Sequence, residues 1–170
     1  MADFLPDWWE GPEYLDVEDL FAQHFQKLLP NVRVCHWIQP DWYIPTGFVD
    51  ATPTYGTEPT LRLWRQPGQR DDESTTDAPL LQFAAVTRSH GDSIQLIEFV
   101  HTVMRALNNG HKIKYNGQLV GIKNVGLWLG PQTIPEGPID EFFVPVTYKF
   151  TVAGKKLQPN YRKILDSLND

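Results

Sequence analysis

The sequence contains one cysteine, Cys35, among 170 residues. A single thiol excludes an internal disulfide framework and any cysteine-based zinc site. No apolar run approaches the roughly 20 residues that a membrane-spanning helix needs, so no membrane contact is expected. The opening stretch, MADFLPDWWEGPEY, has acids and aromatics but no base. That is the opposite of a secretory signal or transit peptide, and the chain is expected to stay in the compartment where it is made. Five histidines are present, and no pair has the His-x-x-x-His spacing that sets two ligands on one helical face. Gly117-x-x-x-Gly121 and Gly126-x-x-x-Gly130 lack the Gly-Lys-Ser/Thr ending of a phosphate loop. Neither a metal nor any other cofactor is expected.

What is there begins with charge. The net charge is −6, and residues 1–31 account for all of it, with seven acids against one base, Lys27. The remaining residues carry 14 acids and 14 bases. An acidic, Trp-containing segment adds no counterion release on a phosphate backbone, so a basic protein partner or simple solvation suits it better. The hydrophobic fraction, 41%, is that of a globular protein with room for a core.

Periodicity places the elements. Asp16 is set to cap a helix whose first turn holds Glu18 and Asp19, and Pro30 stops it. Val17, Leu20, Phe21, His24, Phe25 and Leu28 form its apolar face. Residues 32–38 alternate as a strand, and so do residues 60–65 and 80–87, the last apolar enough to be central. Residues 39–59, with four prolines, read as a long loop. Residues 66–77 contain no aliphatic or aromatic side chain and read as a mobile loop. His90-Gly91-Asp92-Ser93 supplies the turn and cap of a second helix. Its buried face is Ile94, Ile97, Val100, His101, Met104 and Leu107, and Asn108-Asn109-Gly110 closes it.

Asn116-Gly117 then marks a tight hairpin. Residues 142–152 alternate as the longest strand, and Pro145 in it predicts an edge or a bulge. A short helix follows at residues 160–168. The order predicts an α+β fold, an antiparallel or mixed sheet with two main helices on one face, long loops and a short C-terminal helix. Residues 1–15 form an acidic aromatic arm, and residues 16–170 are expected to be a single domain.

Candidate chemistry is thin. His90, Asp92 and Ser93 are neighbours in sequence, and a nucleophilic triad needs such groups to converge in space. Helix capping explains Asp92 and Ser93. His24 and His101 lie on predicted core faces, where a hydrogen-bonded structural role is expected. Asp140 and Glu141 are adjacent on a strand start and point to opposite faces. Lys112, Lys114 and Lys123 form a weak basic patch around the hairpin, with Tyr115 between them. It is a solvated face or, alternatively, the footprint of a nucleic-acid-binding module. The candidate partner contacts are the aromatics of irregular segments: Trp8, Trp9, Trp37, Trp42, Tyr43, Phe48 and Tyr55.

The sequence resembles tail terminator proteins of long-tailed bacteriophages, especially those infecting actinobacteria. The resemblance rests on Asp77-Ala78-Pro79-Leu80-Leu81-Gln82-Phe83 leading into a strand and on the helix at residues 94–107. It continues through residues 125–131, ending in Leu129-Gly130-Pro131, and the alternating strand at 142–152. It implies a virion protein without enzyme activity, assembled in the host cytoplasm, whose hexameric ring caps the tail tube and stops its polymerisation. The implied partners are copies of itself, the tail tube protein and a head-to-tail connector or stopper protein, with DNA passing through the lumen without specific binding. Another neck component, such as a head-completion or stopper protein, is the alternative. The arm and the loop at 39–59 exceed what the resemblance covers.

Overall fold

The computed structural model describes residues 4–12, 14–36, 47–49, 52–54, 59–70, 76–87, 89–131, 143–153 and 160–167. The elements in order are α1 (Val17–Leu28), β1 (Arg33–Cys35), β2 (Gly47–Val49), β3 (Thr52–Thr54), β4 (Thr60–Arg70) and β5 (Thr76–Val86). Then come α2 (His90–Asn108), β6 (Lys112–Tyr115), β7 (Gln118–Leu129), β8 (Phe143–Ala153) and α3 (Tyr161–Ser167). Six strands form one sheet in the order β1-β4-β5-β8-β7-β6. Only the β1–β4 pair is parallel, so the sheet is mixed and the fold is α+β.

Both main helices cover the same face of the sheet. Asp16 accepts a hydrogen bond from the Asp19 N–H and starts α1, which buries Val17, Leu20, Phe21 and Phe25. α2 buries Leu96, Ile97, Val100, Met104 and Leu107. These side chains join Leu61 and Leu63 of β4, Leu81 and Phe83 of β5, and Val146, Tyr148 and Phe150 of β8 in one apolar cluster. Phe83 is its hinge, with ring centroids 5.2 Å from Phe25, 6.0 Å from Phe21 and 6.0 Å from Tyr148. Edge-on aromatic contacts of this kind add about 0.5–1.5 kcal/mol each beyond area burial.

Several expectations change. Ser89, not the His90-Gly91-Asp92-Ser93 stretch, caps α2 by accepting from the Asp92 N–H. Ser93 is instead buried, its Oγ 3.0 Å from the Thr87 hydroxyl. Leu28 remains exposed, at the end of α1. Much of the polar stretch 66–77 is strand, because the β4–β5 ladder resumes past a bulge with Gln69 opposite Ala78 and Arg70 opposite Asp77. A bidentate ion pair anchors it. Arg65 donates to both carboxylate oxygens of buried Asp77 at 2.7 and 2.8 Å.

Within residues 39–59, β2 and β3 form a separate two-stranded hairpin. β7, not β8, is the longest strand, and β8 lies inside the sheet between β5 and β7. Pro145 is tolerated there because β7 pairing ends at Thr147, so that among the described residues β8 has only β5 as a strand neighbour at Pro145.

The hairpin turn is as its residues demand, with Asn116 at φ 46° and Gly117 at φ 81°. At its base, Tyr115 donates to Asp19 of α1 at 2.7 Å and fastens β6 to that helix. Burial, and then the Asp19 carboxylate, push the Tyr115 phenol up to about 12.

Two predictions follow from these contacts. Arg65→Ala strands the buried Asp77 carboxylate and should cost about 3–5 kcal/mol in urea unfolding, whereas a loss below about 1 kcal/mol would show that solvent compensates. The folded state holds the Tyr115 proton more tightly than the unfolded chain does. Its contribution is therefore complete below the ordinary phenol value and is lost as pH rises toward about 12. Tyr115→Phe should flatten the alkaline fall in stability, measured by denaturant titrations across that window; an unchanged profile would contradict the assignment.

Candidate functional site

Neither main helix covers the other face of the sheet, whose centre, at Ala84 and Thr147, is nonetheless buried. Register fixes which side chains share it. Lys112 lies opposite Gly121 and Lys114 opposite Leu119, while Lys123 lies opposite Thr151 and Lys149 opposite Gly126. Directly opposed residues point the same way, so the four lysines share the face opposite Ile113, Tyr115, Val120 and Ile122, which are buried. All four are exposed. The six strands carry one carboxylate among their described side chains, Asp77, and it is committed to Arg65 on the helix-bearing side.

Apolar surface accompanies this charge. Leu119 is 67% exposed between the lysines, and Trp128 is 57% exposed with the Lys149 ammonium 5.7 Å from its ring centroid. Leu127 and Leu129 flank it at 50% and 41%. β6 pairs only with residues 118–121 of β7; beyond them, β7 has β8 on one side and, among the described residues, no strand on the other. A bulge at Asn124, φ 54°, turns this distal half, and the Asn108 side chain accepts from the Val125 N–H at 2.9 Å. The outcome is a half-strand with three consecutive exposed apolar residues.

The other open flank is handled differently. β1 covers residues 60–62 of β4. Past it, the Glu18 carboxylate accepts from the Arg65 N–H, and His36 Nδ1 donates to the Leu63 carbonyl at 3.4 Å. Side chains thus occupy that edge locally.

The candidate aromatics fall into three groups. Trp8 and Trp9 are half-buried; Trp8 lies against Tyr161 of α3 at 5.9 Å, and the Glu10 N–H donates to the Tyr161 hydroxyl at 3.2 Å. The backbone of Phe48 lies in β2, opposite Pro53. Trp37, Trp42, Tyr43 and Tyr55 lie outside the described residues. Of the basic patch, Lys112, Lys114 and Lys123 do share a face, and Tyr115 turns to the other side and is buried. Sequence reasoning missed Leu127, Trp128 and Lys149. The available signal was a strand apolar at consecutive positions with no helix left to cover both sides.

His101 Nδ1 and the Tyr148 hydroxyl are engaged with each other at 2.9 Å, and burial, then Glu98, raise the Tyr148 phenol. They line a cleft of about 130 Å³ between α2 and distal β7. Burial, then His111 and Lys27, lower the imidazolium pKa of His24. Among the described residues, no three His, Cys, Asp or Glu side chains gather to hold a metal, and no helix is long and apolar enough to cross a membrane.

Among the described residues, exposed apolar and basic side chains thus share one strand surface. The family described as phage tail termination protein matches residues 13–159. The chain belongs to that family. As a phage tail termination protein it has a structural role in the tail and is a component of the virion. No curated protein matches the sequence. The family match takes in every strand of the sheet and both main helices, and leaves residues 4–12 and α3 outside.

If Trp128 serves assembly rather than folding, truncating it should leave the subunit intact. Trp128→Ala is expected to change unfolding free energy by less than about 1 kcal/mol, while Phe83→Ala costs about 3–5 kcal/mol. A Trp128 loss approaching that of Phe83 in the same urea titration would mean that the indole is part of the core.

Proposed function

We propose that the protein caps the phage tail tube as a closed hexameric ring, ends tube polymerisation and presents a surface to the head-to-tail connector or stopper protein. Family membership supports the tail role. The observation that carries the ring is the distal half of β7, with Leu127, Trp128 and Leu129 exposed together and one side of the strand unpaired among the described residues. A ring needs heterologous contacts that close by rotation, so each copy must offer two different complementary surfaces. An open strand edge with apolar side chains is one such surface.

On this reading the protein acts by binding, not by catalysis. Assembly takes place in the host cytoplasm. The tube end supplies the template, the purified protein is monomeric or weakly associated, and genomic DNA later passes through the lumen without specific binding. A second reading, nucleic-acid binding, draws on the shared face of Lys112, Lys114, Lys123 and Lys149. It predicts DNA retention that falls steeply with salt.

Phage grown without the protein distinguish the capping role from other neck roles. Overlong tails in micrographs are the expected result. Tails of normal length beside unjoined heads would instead mark a stopper or head-completion protein.

A further inference from the structure

Resting on that ring reading, we infer that the N-terminal arm of one copy, residues 4–12, docks on the lysine–Trp128 face of the next copy. The arm and α3 meet each other. They are joined by the Trp8–Tyr161 ring contact and the Glu10 to Tyr161 hydrogen bond, and α3 has no buried residue. Both lie outside the matched residues 13–159. Phe4 at the start of the arm is 85% exposed, with Asp7 and Glu10 exposed behind it. A clasp whose indoles are half-buried while Phe4, Asp7 and Glu10 stay exposed is shaped to present those residues to a neighbour.

The receiving surface has the opposite character. Lys112, Lys114, Lys123 and Lys149 surround Leu119 and Trp128 on the helix-free face. An apolar anchor with carboxylates thus meets an apolar floor with ammonium groups, the complementarity that fixes register at interfaces. The arm also joins the domain on the side of the sheet away from the lysines. Tyr14, where the arm ends, is buried and lines a crevice with Asp77 and Val152 on the helix-bearing side. An arm leaving one side and a receptor on the other make the contact head-to-tail, the geometry that propagates round a ring. Pairing the lysines with a neighbour's acids also removes bare positive charge that would hold the passing DNA by counterion release.

Charge exchange tests this with full-length chains on purified tail tubes, counting rings at tube ends by negative-stain microscopy. One variant carries Asp7→Lys and Glu10→Lys; the other carries Lys112→Glu, Lys114→Glu and Lys123→Glu. All five side chains are exposed, and circular dichroism confirms that each variant folds. Each variant alone should cap at least tenfold fewer ends than the unmodified protein. An equimolar mixture should recover capping, because each arm again meets a face of opposite sign. Rings formed by the unmodified protein but unaffected by either variant, or lost and not recovered on mixing, would overturn the arm contact and leave the ring intact. Reversed lysines that leave rings normal while abolishing DNA retention would overturn it in favour of nucleic acid. Absence of rings with the unmodified protein would remove the ring reading itself, and the arm contact with it.

Discussion

The arrangement depends on the aromatic cluster around Phe83. Its ring meets Phe21 and Phe25 of α1 and Tyr148 of β8, and through them the two main helices are committed to a single face of the sheet. A helix buries one stripe, and a sheet needs cover on each apolar face. Once both helices are spent on the Phe83 side, whatever apolar surface the opposite face and the distal edge carry must be covered by something else. Trp128, Leu129 and Leu119 are that surface, and Leu127 borders the cleft beside α2.

Charge follows the same division. Acids load the arm and the first turn of α1, where Asp16 caps the helix, Glu18 reaches the edge of β4 and Asp19 holds Tyr115. Bases line the helix-free strands. On the proposed ring reading, a subunit with its signs separated in this way would attract copies of itself in one relative orientation and repel them in the other. Specificity in the assembly can therefore come from charge, and adhesion from the indole and leucine side chains. Neither role requires a reactive centre.

Much of the fold was legible because local signals agreed with tertiary ones. Asp16, the spacing of Leu20, Phe21 and Phe25, and Asn116-Gly117 each act through short-range geometry, and each element stands where those residues put it. The failures share a different cause. The β4–β5 ladder extends into polar residues because an existing antiparallel pair propagates and because Arg65 reaches Asp77, neither of which hydrophobicity can signal. Pro145 marks where β8 loses its β7 neighbour, not a sheet edge, since strand order is a long-range outcome. Trp128 was missed because an apolar residue on a strand reads alike whether its face is covered or bare. The arm was recognised as aromatic and acidic, but its clasp on Tyr161 joins residues from opposite ends of the chain.

The central claim is that like copies close into a ring through the surfaces the core leaves bare. Electron cryo-microscopy of tail tubes capped by the protein tests it most directly. The account predicts a closed annulus of subunits in which distal β7 and the lysine face of each copy are covered by its neighbour. Isolated subunits at the tube end, or an annulus in which Trp128 faces open solvent, would contradict it.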